Sequence, residues 1–269
     1  MPENDYATGT YFTLRSMLII LVLLLAASIG LHLLAHGGCL QDSVSGYYYT
    51  SAQAMFVGML CAIGACLIIH QGADVENALL DFSGFMAFVV AFVPAEVDNT
   101  CQVGDLVGIQ TTAEVRTTLP PVLAAAIVAG IWAVVKRKRG EATGWAAAVR
   151  LATLAVVVIM AFWALLSPPG FVAHGHLSAA VLMFAGMVLV VGWNYWDTSG
   201  ARYGWVFWAM MVTLVIWLAF LVFSPIPHLT LIVEAVLIAE FAGFWMRQTG
   251  EFREGANRPE RISRVGAAA

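Results

Sequence analysis

Long apolar stretches without charge recur along this chain, and short polar or charged segments separate them. Each stretch has about 16–23 residues, and a helix of roughly 20 apolar residues crosses the hydrocarbon core of a bilayer. Hydrophobic residues make up 61% of the chain and charged residues 11%, against about 45–50% and 25% in soluble domains. Because no β-barrel alternation is present, helices must satisfy the backbone in lipid. The sequence therefore predicts an all-α, polytopic transmembrane helical bundle.

The apolar stretches define eight spans, and prolines, glycines and charged residues mark their ends. The predicted boundaries are 14–34, 53–69, 79–95, 120–135, 145–167, 177–196, 204–224 and 229–246. No linker or change of composition divides the membrane region. We therefore expect one transmembrane domain over residues 14–247, preceded by a polar head (1–13) and followed by a flexible, charged tail (248–269).

Four consecutive cations, Lys136–Arg139, fix the expected orientation, because lysine and arginine concentrate on the cytoplasmic flanks of spans. With this run inside, Arg116 alone among the 13 lysines and arginines falls outside. We therefore expect both termini in the cytoplasm (N-in/C-in) and a location in the plasma (cytoplasmic) membrane. The cations lie at helix ends and in the tail without interleaved aromatic residues, which excludes a nucleic-acid partner. Membrane lipid is the expected partner.

Cysteines fall into two pairs. Cys39 and Cys101 lie in predicted outer loops, where an oxidising compartment preserves disulfides. The two are therefore candidates for a disulfide, and the alternative is two unpaired loop thiols. Cys61 and Cys66 lie within span two, and we expect them to pack as small apolar groups.

Histidines collect on the predicted outer side, which holds five of the six: His32, His36, His174, His176 and His228. Zinc takes three or four nitrogen, sulfur or oxygen ligands. A zinc site on His36, His174 and His176 is one hypothesis. The alternative is a set of interfacial histidines bonded to water and backbone carbonyls.

A zinc site in this place would activate water for hydrolysis. Asp42 or Asp98 would then act as the base, and Ser45 would donate to the oxyanion. The chain has no G-x-S-x-G motif for a serine nucleophile. The sequence is compatible both with an enzyme and with a protein that is not an enzyme.

Two carboxylates, Glu234 and Glu240, fall within span eight. Carboxylates in a membrane are costly and usually face the interior of a bundle. Six helical residues correspond to about 600°, so the two side chains point roughly 120° apart and each needs its own partner. Asp81, near the start of span three, is expected to have a structural role or to cap that helix.

Several stretches resemble a bacterial family of uncharacterised multi-pass membrane proteins, classed under a domain of unknown function. Ser43–Thr50 (SVSGYYYT) and Phe56–Gly64 (FVGMLCAIG) resemble the opening of that family. Phe92–Pro94 (FVP) and His176–Ala179 (HLSA) are similar to later motifs. The end of the chain is also similar, at Glu234, Phe241, Trp245, Gly250 and Glu251. The resemblance implies a helical integral membrane protein and no particular activity.

A more distant similarity is to membrane hydrolases of the ceramidase and adiponectin-receptor type. Such hydrolases use serine, aspartate and three histidines around zinc. The His-x-x-x-His pattern is met here by His32 and His36. These lie in span one, whereas that family carries the pattern toward the other end of its chain.

Three functions are compatible with these features. The first is a polar vestibule on the outer side that binds a lipid or a small polar ligand, and its lining would be Tyr47, Tyr48, Tyr49, His176, His228 and Glu234. For the tyrosines, the alternative role is that of headgroup anchors in an aromatic belt. The second function is a zinc-dependent lipid amidase or esterase. The third is a transporter or channel in which Glu234 and Glu240 would be protonatable groups.

Overall fold

A computed structural model describes residues 2–38, 40–70, 72–93, 112–135, 144–197, 202–223 and 228–253. Within these ranges the chain consists of α-helices and one short 3-10 helix, η1, and contains no strand. In chain order the helices are α1 (Pro2–Ala35), η1 (Val44–Tyr49), α2 (Gln53–Ile69), α3 (Asp74–Phe92), α4 (Thr112–Val135), α5 (Gly144–Leu166), α6 (Pro168–Asp197), α7 (Gly204–Phe223) and α8 (Leu229–Arg253). The predicted all-α class is confirmed for these residues.

Five of the described helices contain a segment long and apolar enough to cross a membrane. These segments are Thr10–Ala35, Asp74–Phe92, Gly144–Leu166, Pro168–Asp197 and Leu229–Glu251. Shorter apolar helical segments occupy Gln53–Ile69, Leu119–Val128 and Gly204–Phe220. Length and composition thus agree with a helical membrane protein.

Helix α3 lies at the centre of the bundle and packs against α2, α4, α5 and α6. Glycines allow a close backbone approach between α2 and α3, because a Cβ added to Gly64 of α2 would lie 2.8 Å from the carbonyl oxygen of Gly84. A Cβ added to Gly84 would lie 2.7 Å from the carbonyl oxygen of Gly64. Small residues permit such backbone contact between apolar helices.

Contacts between side chains show that α1 and α3 run away from one end of the bundle, whereas α2, α6 and α8 run toward it. Arg15, in the first half of α1, lies beside the end of α2 and the end of α8. Helix α3 begins at this same end and α6 finishes there. We call this the Arg15 end of the bundle, and we call the opposite end, which holds η1 and the start of α8, the η1 end.

Two helices extend beyond the predicted transmembrane domain. Helix α1 begins at Pro2, within the predicted head (1–13), and α8 continues to Arg253, within the predicted tail (248–269). Gln248 and Thr249 are buried. The tail prediction differs here because these polar side chains have partners inside the bundle, which hydropathy does not register.

Three helix starts also lie earlier than expected. Helix α6 begins at Pro168, so the predicted loop before span six is helical, as suits prolines in a first turn. Helix α4 begins at Thr112 and contains Pro120 and Pro121 in its interior. Helix α3 begins at Asp74, so Asp81 lies two turns inside and does not cap it.

Candidate functional site

Two polar clusters lie at opposite ends of the bundle, and the first is built around η1. The side chain of Ser43 accepts a hydrogen bond from the backbone N–H of Gly46 at 3.0 Å and begins the turn. At its other end the Thr50 hydroxyl donates to the carbonyl oxygen of Tyr47 at 2.8 Å and accepts from the N–H of Ala52 at 3.1 Å. Side-chain caps of this kind hold a short turn without a longer helix. The tyrosine-rich segment is therefore an ordered element.

Glu234 ties this segment to α8. Its Oε2 atom accepts a hydrogen bond from the backbone N–H of Val44 at 2.7 Å, and the side chain is only 4% exposed. Beside it, the N–H of Leu231 donates to the carbonyl oxygen of Asp42 at 2.9 Å. A carboxylate that accepts from a backbone N–H forms a strong, charge-assisted bond. Glu234 thus finds a backbone partner, and its first role is to hold η1 against the start of α8.

Asp42 and His228 form a second link between the same two elements. The Nδ1 atom of His228 lies 3.3 Å from Oδ1 of Asp42 and 3.2 Å from the carbonyl oxygen of Gln41. His228 has a φ of 58°, in the left-handed region that costs a non-glycine residue about 1 kcal/mol or more. These contacts hold it there, and they engage Asp42 with α8.

The residues predicted to line a vestibule are mostly buried. Tyr47, Tyr48, His176 and Glu234 are each less than a tenth exposed, whereas Tyr49 and His228 are half-buried. Burial raises the pKa of Tyr47, and burial together with the neighbouring phenol of Tyr48 raises the pKa of Tyr49 to about 12. The phenols therefore stay neutral at physiological pH.

The histidines near this end have separate partners. The rings of His32 and His36 stack with centroids 4.2 Å apart, and Nδ1 of His32 lies 3.0 Å from the hydroxyl oxygen of Ser51. Nδ1 of His36 lies 3.0 Å from the carbonyl oxygen of His32. His176 lies on α6 with Nδ1 2.6 Å from the carbonyl oxygen of Val93. Backbone and hydroxyl contacts thus engage one nitrogen of each ring, whereas Nε2 of His176 is buried without a hydrogen-bond partner among the described residues.

Among the described residues, no three histidine, cysteine, aspartate or glutamate side chains lie close enough together to hold a metal ion. The structure therefore does not assemble the predicted set His36, His174 and His176, of which His174 is exposed and His176 buried. Ser45 is buried within η1. The proposed base Asp98 and the disulfide candidates Cys39 and Cys101 lie outside the described residues.

The second polar cluster surrounds Arg15, which is fully buried. Its Nε atom donates to the hydroxyl of Thr249 at 2.8 Å, and Nη1 donates to the hydroxyl of Tyr11 at 2.7 Å. Nη2 donates to Oε1 of Gln248. The guanidinium also lies 4.3 Å from the ring centroid of Trp245, a cation–π distance that stabilises a desolvated cation by about 2 kcal/mol. Arg15 thus joins α1 to the last turns of α8.

Gln248 extends this cluster to two more helices. Its Nε2 atom donates to Oε1 of Glu76 on α3 at 3.2 Å and to Oδ1 of Asn194 on α6 at 3.1 Å. One amide therefore bridges a buried cation and a buried carboxylate, and four helices meet at its side chain. Arrangements of this kind are costly to break, because each member left behind is a desolvated polar group.

His70, at the end of α2, completes the Arg15 cluster. Its Nε2 atom lies 3.5 Å from Nη1 of Arg15, and its ring packs edge-on against Trp245. Burial, and then the adjacent guanidinium of Arg15, lower the pKa of His70 to about 3. The imidazole is therefore neutral at physiological pH and accepts from Arg15.

Sequence reasoning did not find the Arg15 cluster. The sequence predicts Arg15 as a cation that flanks the first span and Gln248 as part of the tail. A signal was present, because Tyr11 precedes Arg15 by four residues and Trp245 precedes Thr249 by four, so each pair shares a helix face. An aromatic and a polar residue on one helix face, in α1 and again in α8, are the sequence feature that could have indicated this cluster.

An apolar groove runs between α4, α5 and α6 and has a volume of about 480 Å³. Its eleven lining residues are all apolar: Leu119, Pro120, Leu123, Ala124, Ile127, Ala161, Ala164, Leu165, Pro168, Phe171 and Val172. Pro120, Ala124 and Leu165 are exposed, so the groove opens to the surface of the bundle. It has no polar side chain to orient a charged ligand.

These sites differ in what they can do. Both polar clusters are internally bonded and hold helix ends together, whereas the groove offers open, apolar space. No protein-family model, curated protein or solved structure matches the chain.

Proposed function

We propose that the chain is an integral membrane protein of the cytoplasmic membrane that binds a membrane lipid in the groove between α4, α5 and α6. In this proposal all eight α-helices cross the bilayer, both termini lie in the cytoplasm, and the η1 end faces outward. The directions of α1, α2, α3, α6 and α8 support that path, because they are those expected if each successive helix crosses the bilayer once. The basic run Lys136–Arg139 supports its orientation, because in the sequence it comes directly after Val135, the last residue of α4.

The observation that carries the proposal is the groove's size and lining. Its volume of about 480 Å³ falls within the range of roughly 300–1,000 Å³ typical of small-molecule sites. An apolar groove that opens on the surface of membrane-length helices meets acyl chains before any other ligand. Lipid tails are as apolar as leucine, so an acyl chain gains no affinity from leaving water. Its affinity for the groove comes from packing contacts. The occupant is therefore an acyl chain whose shape fits the groove.

Filling the groove with a larger side chain tests this directly. Ala161 and Ala164 line it on α5, so Ala161→Trp and Ala164→Trp should occupy the space of the ligand. Ala235 of α8 is exposed outside the groove, so Ala235→Trp is the matched control. Overfilling a site costs about 1–3 kcal/mol, which corresponds to roughly fivefold to 150-fold in affinity for the lipid.

The measurement is native mass spectrometry of protein purified in mild detergent, with the amount of retained lipid compared among the variants. We expect retained lipid in the unaltered protein and in Ala235→Trp, and a loss in both groove variants. Equal lipid retention in all four proteins, each with an unchanged melting temperature, would place any lipid elsewhere and refute the groove as its site.

A further inference from the structure

A second carboxylate, Glu240, occupies the middle of α8. It lies eleven residues from Leu229 and eleven from Glu251, the two ends of the membrane-length segment. At 1.5 Å per residue, each end is roughly 17 Å away along the helix axis. Ala239 beside it is exposed and Phe241 is buried, so the half-buried Glu240 lies at the boundary between the packed face and the lipid-facing face of α8.

The two oxygen atoms of Glu240 have different surroundings. Oε1 accepts a hydrogen bond at 3.2 Å from the hydroxyl of Thr213, near the middle of α7. Oε2 is buried and has no hydrogen-bond partner among the residues that the structure describes. A buried carboxylate oxygen without a donor is costly when charged, whereas a protonated oxygen carries no charge.

Among the residues that the structure describes, no cation compensates a charge at this level of the bundle. Helix α7 has no titratable side chain along its length, and α6 has no lysine or arginine. On α1 the cation is Arg15, whose contacts lie near Thr249, two and a half turns from Glu240. On α8 itself, Arg247 pairs with Glu251.

The remaining titratable groups on the elements packed against α8 are remote from this carboxyl. On α1 they are Glu3, Asp5, Tyr6, Tyr11 and His32, and in η1 they are Tyr47, Tyr48 and Tyr49. On α6 they are His174, His176, Tyr195 and Asp197. On α8 itself Glu234 is bonded to Val44, and Arg253 is the last residue of the helix. All of these lie toward one or the other end of the bundle, so none supplies a countercharge at mid-helix.

We propose that Glu240 is a proton-binding site in the middle of the membrane, with its proton on Oε2 at neutral pH and the Thr213 hydroxyl positioning Oε1. The ligand is a proton and not a metal ion, because hard cations such as Ca²⁺ and Mg²⁺ require about six or more oxygen ligands. Among the described residues, no group of three metal-binding side chains supplies them. The site goes beyond lipid binding, since a lipid groove needs no titratable group.

The test uses the full chain in lipid vesicles at neutral pH and two readouts. Infrared difference spectra between the unaltered protein and Glu240→Gln should contain the carbonyl stretch of a protonated carboxyl. Dicyclohexylcarbodiimide, which dissolves in lipid and reacts with protonated carboxyls, should modify Glu240, and peptide mass spectrometry locates the product. Glu251, which pairs with Arg247 and accepts from Tyr203, is the internal control and should stay unmodified.

A substitution of Thr213, the hydrogen-bond partner of Glu240, provides a second test of the proton site. Thr213→Val removes the donor to Oε1, which further disfavours the charged form, so carbodiimide modification should persist to higher alkaline pH than in the unaltered protein. Carboxylate bands at neutral pH in place of the protonated carbonyl band would overturn the proposal. Loss of that band on adding sodium or potassium ions at constant pH would also overturn it, in favour of a cation site.

Discussion

At the scale of single residues, Arg15 shows how a cation can be held inside a helical bundle. Its three guanidinium nitrogens reach side chains from α1, α2 and α8, and an aromatic ring covers its face. Hydrogen bonds to charged groups stabilise by about 1.5–3 kcal/mol each, which offsets the cost of desolvation. The neighbouring His70 stays neutral because burial, and then the adjacent guanidinium of Arg15, lower its pKa.

Acidification is expected to destabilise the fold through His70. Its pKa falls from 6.5 to about 3 on folding, so between these values the unfolded chain binds a proton that the folded chain lacks. The contribution is therefore fully present above pH 6.5 and is lost as the pH falls toward 3, by about 1.4 kcal/mol per pH unit. Melting temperatures of the purified protein from about pH 7.5 down to about pH 5 measure this loss.

Two variants isolate the contribution of His70 to that pH profile. His70→Gln keeps an acceptor for Arg15 but does not titrate, so its melting temperature should fall less steeply with pH. His174→Gln, at an exposed position of α6, should retain the original slope. If His70→Gln and the unaltered protein lose stability in parallel, another group is responsible for the pH dependence.

At the scale of elements, the last turns of α8 belong to the folded bundle. A chain ending at Arg247 would lose Gln248 and Thr249 and leave Arg15 and Glu76 without the partners those residues provide. Breaking a buried charged network by removing one partner costs about 3–5 kcal/mol. We therefore expect a large drop in melting temperature, measured by intrinsic fluorescence in detergent.

The matched control for that truncation is a chain ending at Arg253, which keeps the whole of α8. It should melt at the temperature of the full chain. A truncation at Arg247 that leaves the melting temperature unchanged would show that the buried contacts of Gln248 contribute nothing measurable to stability.

Hydropathy predicted the interiors of the helices and missed several of their ends, for a physical reason. Apolar runs in the sequence identify the segments that a bilayer accommodates. Helix α5 (Gly144–Leu166) accordingly matches its predicted span within one residue at each end. Polar residues that continue a helix, such as Gln248, can be recognised as part of the folded bundle only when their partners are known. Those partners come from distant parts of the chain, 172 residues away for Glu76 and 233 for Arg15.

In the candidate sites, too, the sequence identified polar residues but not their partners. Glu234 and His228 were selected as polar groups at one end of the bundle, and the structure places both against the segment that leads into η1. Their use as structural links could not be predicted, because the partners are a backbone N–H and a backbone carbonyl, which every residue has. The groove was not predicted either, since leucines and alanines look alike in sequence whether they pack or leave space.

At the scale of the whole molecule, the topology rests on which side of the membrane holds the basic run. Single cysteines at Thr112 and Gly140, in a chain whose four native cysteines are replaced, report this side. With an impermeant maleimide on intact cells, we expect modification at residue 112 and none at residue 140 until the cells are opened. The reverse pattern would invert every side assigned to the bundle.

The contact between Gly64 and Gly84 limits how such a molecule can move. A side chain at either glycine would strike the carbonyl oxygen of the other, so a rotation or slide of one helix against the other would bring a neighbouring side chain against a peptide group. We therefore expect helices α2 and α3 to move together as one unit. An opening of the bundle that admits or releases a ligand is then expected between other helices.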